Sequence, residues 1–168
     1  MKHASDMNIL VVDDEPDVRE FIGACLEDAG FKVRSAVDGV DALQKIEEEV
    51  PDLMTLDMVM PRKSGLSLIR KLRKNETWKQ IPVIIVTAHA KDELAKEDVK
   101  EILVNAETRQ ENRHLLEKPI VPSVLIKLVS DILKVTIKDE IGTREDLISA
   151  IKLADGATLH EIRRVLAK

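Results

Sequence analysis

Tyrosine is missing from this 168-residue sequence, and Phe21, Phe31 and Trp78 are its whole aromatic complement, 2% of the chain. Platforms that stack nucleic-acid bases need more rings than that, and the core must be aliphatic. A lone cysteine, Cys25, excludes an intramolecular disulfide and a multi-thiol metal cage. His3, His89, His114 and His160 are scattered, without the spacing of metal ligands. No apolar run nears the roughly 20 residues that span a bilayer. The opening MKHASDMNILVVDDE is too short and too polar for a secretory leader. Positive charge is not in surplus either: 26 Lys and Arg against 31 Asp and Glu leave a formal net charge of −5. A basic nucleic-acid footprint is therefore absent. The expected setting is cytoplasmic and reducing, with no membrane. What is present, 44% hydrophobic and 34% charged residues, suits one globular core with a small appendage.

Short β-branched runs alternate with helical patterns. The runs predict strands over Asn8–Asp13, Phe31–Ala36, Asp52–Asp57, Pro82–Thr87 and His114–Glu117. Brief apolar segments bounded by turn signals suit strands buried on both faces of a parallel sheet. Val18, Phe21, Ile22, Cys25 and Leu26 recur at helical spacing, as do Val124, Leu125, Leu128, Val129, Ile132 and Leu133. Asp14, Glu15 and Pro16 read as the acidic start of the first helix, with proline in its first turn. Gly30 stands where a left-handed C-terminal residue is expected. Cys25, on the inner stripe, reads as core packing. Five strand–helix units in series predict an α/β fold: an open, parallel, doubly wound sheet with helices on both faces.

In such a sheet the ligand crevice opens at the carboxyl ends of the strands. Strand one runs into Asp13-Asp14, strand three into Asp57, strand four into Thr87, and strand five into Lys118-Pro119. Neighbouring carboxylates repel unless a cation is bound. An all-oxygen donor set favours a hard divalent ion, with Mg²⁺ the natural occupant. Lys118 would add a mobile point charge suited to a phosphoryl oxygen. Any one acid could merely cap a helix, but five polar groups at four strand ends are a poor coincidence.

The ordered segments VVDDEP, LDMVMPRKSGLSLIRKLR, PVIIVTAHA and LLEKPI resemble the successive signatures of the bacterial response-regulator receiver domain. The resemblance covers roughly residues 7–134, leaving a disordered or extended tail at 1–6 and a helical extension at 135–168. It implies the flavodoxin-like strand order 2-1-3-4-5. It also implies that Asp57 is the phosphoacceptor and that Asp13, Asp14, Asp57 and the backbone carbonyl of Val59 hold Mg²⁺. Thr87 and Lys118 would contact the phosphoryl group, Ala88 would keep the approach small, and the bond before Pro119 would be cis. Val59 and His89 would flank the path of the hydrolytic water and tune signal lifetime. The chain would then be a signalling phosphoacceptor rather than an enzyme. It would be loaded by a histidine kinase or histidine phosphotransferase and read by a downstream protein target, with homodimerisation left open.

Three departures from the family pattern stand out. Leu115 occupies the position where receivers commonly carry an aromatic whose rotamer reports activation. The charged stretch 91–113 makes the span from Thr87 to Lys118 longer than usual, on a face where receivers meet partners. The tail 136–168 carries six basic and six acidic residues. Its segment GATLHEIRRVLAK is faintly similar to the opening of a helix-turn-helix but stops before a recognition helix, so DNA binding is not expected. The alternative to a phosphorylated switch is a pseudo-receiver that docks proteins independently of phosphorylation. An aspartyl phosphatase would want a second acid where Val59 stands.

Overall fold

The computed structural model describes residues 2–58, 60, 65–87 and 113–137. These belong to one compact unit, Met1–Ile137. Five strands, β1 (Asn8–Val12), β2 (Lys32–Ala36), β3 (Leu53–Asp57), β4 (Val83–Thr87) and β5 (Arg113–Glu117), form one sheet in the order β2-β1-β3-β4-β5. All four pairings are parallel. Each strand lies within a residue or so of its predicted span. The prediction works because β1, β3 and β4 are buried at every position, so they read as unbroken apolar runs.

Four helices complete the described fold: α1 (Pro16–Asp28), α2 (Gly39–Glu48), α3 (Gly65–Lys74) and α4 (Pro122–Leu133). Side chains alternate across the sheet, so β1, β3 and β4 each feed two cores. Leu10, Val12, Met54, Leu56, Val83 and Ile85 pack with Ile46 of α2 and Leu68, Ile69 and Leu72 of α3. Ile9, Val11, Leu53, Ile84 and Val86 pack with Ile22 and Leu26 of α1 and Leu125 and Val129 of α4. Both cores are almost wholly aliphatic, as the scarcity of aromatics requires.

Helix ends follow the local chemistry. Pro16 opens α1, and Gly30 follows that helix with φ +91°, the left-handed turn expected of it. Asp38 caps α2, its Oδ1 accepting from the amides of Val40 and Asp41 at 2.8 and 2.9 Å. Arg34, on edge strand β2, donates to the Lys45 carbonyl at 2.9 Å and to the Glu49 carbonyl, binding the last turn of α2 to the sheet. It also donates from Nε to Asn8 Oδ1 at 3.2 Å, which ties β2 to the start of β1.

Some expectations need adjusting. The 1–6 segment is not a loose tail over its described part. Ala4–Asp6 form a 3₁₀ turn, Ala4 is buried, and His3 pairs with Thr136 in an isolated parallel bridge. The α1/α4 core extends past the end of β1, and Ala4, Met7 and Val135 close it. Phe21 and Val124 fall on the helical stripes yet are 44% and 50% exposed, because the stripe is wider than the surface the sheet covers. Cys25 is only partly buried, packed against the edge of the same core. Burial and then the nearby Asp28 push its thiol above the ordinary value. The 91–113 stretch, apart from the backbone of Arg113, and the tail beyond 137 lie outside the described residues. Among the described residues no helix is long and apolar enough to cross a membrane.

Candidate functional site

Strand register delivers the polar groups to one place. Val12 pairs with Leu56, so Asp13 and Asp57 occupy the next step on adjacent strands. Asp57 pairs with Val86, which places Thr87 one residue further along β4. Thr87 pairs with Glu117, and the Lys118 amide donates to the Thr87 carbonyl at 3.0 Å. The crevice thus lies beyond the carboxyl ends of β1 and β3, where the chain winds outward in opposite directions, the usual ligand position in a doubly wound sheet.

Each carboxylate has its own support. Asp13 is almost fully buried. Its backbone N–H donates to the Ala36 carbonyl at 3.2 Å, its carbonyl accepts from Arg19 Nη1 at 2.8 Å, and its Oδ1 accepts from the Glu15 amide at 2.9 Å. Asp57 is held by β3 and buried, while Asp14 is partly open to solvent. One oxygen from each of Asp13, Asp14 and Asp57 lies within 4.8 Å of the other two.

Lys118 comes over these acids from the far side of the sheet. Its Nζ stands 3.3 Å from Asp13 Oδ2, 3.4 Å from Asp57 Oδ2 and 3.2 Å from Glu15 Oε1. Burial alone would lower the ammonium's pKa. The charges of Asp57 and Asp13 and the hydrogen bond to Glu15 outweigh it, so the pKa rises above the usual lysine value. The residue is charged throughout the neutral range. Asp13 Oδ2 has this ammonium beside it but no well-aligned hydrogen bond. One lysine does not balance three converging acids. A buried carboxylate oxygen with spare lone pairs, in an all-oxygen cluster, fits a hard divalent cation.

Sequence reasoning places Asp13, Asp14, Asp57 and Lys118 together, and the structure brings them together. Thr87 is fully buried at the end of β4, and the Lys118–Pro119 bond is cis. Val59, Ala88 and His89 lie outside the described residues. Leu115 sits on β5 with 38% of its surface exposed, facing an apolar groove of about 490 Å³ shared with Val124 and Leu128. In sequence Glu15 reads only as part of a helix start, and its bond to Lys118 is a contact of the folded chain. A signal existed: glutamate is a poor N-cap, and here its side chain makes no capping bond, which leaves the carboxylate free to reach elsewhere.

A parallel five-stranded sheet in this order, with three acids and a lysine gathered at its carboxyl edge, defines a flavodoxin-like α/β protein with an acidic crevice suited to a cation. The chain matches the response regulator receiver domain over residues 9–130 and belongs to that family of two-component signalling proteins. It is 36% identical over 129 residues to a 14.6 kDa protein from the sodA1 3′ region of Leptolyngbya boryana, covering 77% of this chain and 92% of that one. It is 38% identical over 86 residues to the response regulator Rre1 of Synechocystis, covering 51% of this chain and 37% of Rre1. The chain thus spans little more than a third of that larger regulator. Among solved structures, the chemotaxis protein CheY4 of Vibrio cholerae superposes with a TM-score of 0.64 at 26% identity, covering 75% of this chain and 98% of CheY4.

Proposed function

We propose that this chain is the receiver of a two-component phosphorelay, accepting a phosphoryl group on Asp57. The donor is a phosphohistidine of a histidine kinase or a histidine phosphotransferase. An Asp57 carboxylate oxygen bonds to phosphorus as the phosphorus–nitrogen bond breaks, and the imidazole leaves. Water later attacks the same phosphorus, which releases inorganic phosphate and restores the carboxylate. The transition state spreads charge over the phosphoryl oxygens, so the chain's task is positioning and neutralisation. Lys118 supplies a fixed positive charge, Thr87 a hydroxyl, and Ala88 a backbone N–H with little bulk. Mg²⁺, held by Asp13, Asp14, Asp57 and the Val59 carbonyl, would neutralise further charge on those oxygens. Val59 and His89 tune access of the hydrolytic water.

The observation that supports this most is the Lys118 Nζ to Asp57 Oδ2 contact at 3.4 Å, across 61 positions of sequence. A buried carboxylate beside a cation, with two further acids able to hold a metal ion, has the counter-charge that an added phosphoryl group requires. The chain acts as a switch rather than an enzyme with a separate substrate. The added charge biases a loop and the protein-binding face beyond it, in a cytoplasmic setting. The receiver proper is assigned to 7–134, and the tail at 135–168 to packing or docking.

The test uses beryllofluoride with Mg²⁺, read by amide chemical shifts of the backbone around 57, 87 and 118. Wild type is expected to shift and Asp57→Asn to stay silent. Identical behaviour of the two ends the reading, and the absence of any Mg²⁺-dependent change near Asp57 turns it toward the phosphorylation-independent docking module.

A further inference from the structure

Lys118 has three N–H groups and three carboxylates to serve. The partners differ sharply in how readily each can be released. Asp13 and Asp57 are fixed by strand ends, with side chains 1% and 5% exposed. Withdrawing a counter-charge from such a group leaves a carboxylate poorly solvated, which is strongly unfavourable. The Glu15 side chain is 62% exposed, and water replaces the ammonium there at little loss. Its backbone does not have to move. The Glu15 amide stays on Asp13 Oδ1 at 2.9 Å, and its carbonyl stays on the Arg19 amide at 3.0 Å.

Resting on the phosphoacceptor reading above, we propose that Glu15 is a positioning residue, a releasable tether for Lys118. In the unmodified chain it holds the ammonium at the mouth of the crevice. When a phosphoryl oxygen arrives on Asp57 and needs a fourth bond from the same group, Glu15 is the partner that gives way. It therefore competes with the phosphoryl group and sets how far the unmodified state is favoured. Because α1 begins at the next residue, the same exchange frees a side chain at the start of that helix in a phosphorylation-dependent way.

Exposed ion pairs are worth at most about a five-fold factor in an equilibrium. Glu15→Gln is therefore expected to tighten beryllofluoride binding about two- to five-fold in the full chain with Mg²⁺. The gain should shrink toward one-fold in about 1 M salt, where an exposed pair is screened but packing is not. Asp17→Asn is the charge control. It removes another exposed acid, from the first turn of α1, two residues on. If wild type binds and Glu15→Gln changes nothing, the ammonium releases Asp13 or Asp57 instead and the tether is refuted. A gain matched by Asp17→Asn, or one that persists unchanged in high salt, refutes it as well. Failure of wild type itself to bind beryllofluoride removes the phosphoacceptor reading, and this inference with it.

Discussion

Gly65 lies so close to Asp57 that a Cβ at position 65 would stand 2.8 Å from the Asp57 carbonyl oxygen. The same atom would meet the Met58 sulfur at 3.0 Å and the Met58 Cα at 3.1 Å. Helix α3 therefore begins directly against the backbone that carries the candidate phosphoacceptor, and the Gly65 amide donates to the Met58 carbonyl at 3.3 Å. Two of the three obstructing atoms are backbone and cannot rotate away. Gly65→Ala should force the end of β3 and the start of α3 apart by a few tenths of an ångström, with a loss of about 1–3 kcal/mol. Urea unfolding would measure it, and beryllofluoride affinity should fall in parallel. An unchanged midpoint would show that the helix start absorbs the methyl group.

Thr55 makes the opposite case. Its neighbours in register are Val11 and Ile84, it is 1% exposed, and its hydroxyl has no hydrogen-bond partner among the described residues. An unsatisfied buried hydroxyl is a standing penalty. Thr55→Val should stabilise the chain by about 1 kcal/mol, visible as a higher urea midpoint at unchanged slope. A loss of stability instead would mean that the hydroxyl is satisfied by a bound water.

The three carboxylates within 4.8 Å make a prediction about metal. Without a divalent cation they repel, and Lys118 offsets only part of that. Asp14→Asn should raise the melting temperature in chelator, because one of the repelling charges is gone. Wild type should gain stability steadily with Mg²⁺, following the logarithm of its concentration once the site fills. The variant should gain far less. Equal Mg²⁺ responses in both proteins would place the ion elsewhere.

Acid should weaken the chain through His114, partly buried on edge strand β5. Desolvation holds its imidazole below the ordinary value of 6.5. Near that pH the unfolded chain binds more protons than the folded one, so stability is fully present above about pH 6.5 and is lost as pH falls through the folded value. His114→Gln should flatten the slope of unfolding free energy against pH in that window. A slope identical to wild type would assign the acid sensitivity to the carboxylates.

The apolar runs mark β1, β3 and β4 most plainly, because a strand buried on both sides cannot alternate and so differs from its amphipathic neighbours. Asp13, Asp14, Asp57 and Lys118 are legible for a related reason: in a doubly wound sheet the strand ends are the site, and an acid directly after an apolar run is easy to see. Phe21 and Val124 mislead, since spacing reveals a helix's apolar stripe but not how much of it a sheet will cover.

Local chemistry alone determines where this chain forms strands, where helix α1 stops ahead of Gly30, and which acids stand at the strand ends. Only the folded chain decides that Glu15 shares Lys118 with two buried aspartates, that Gly65 leaves no room beside Asp57, and that the Thr55 hydroxyl is stranded between Val11 and Ile84. Each of those facts is a contact between residues of different elements. Propensity and periodicity act over a few residues, whereas these contacts arise from strand register and helix placement across the whole sheet.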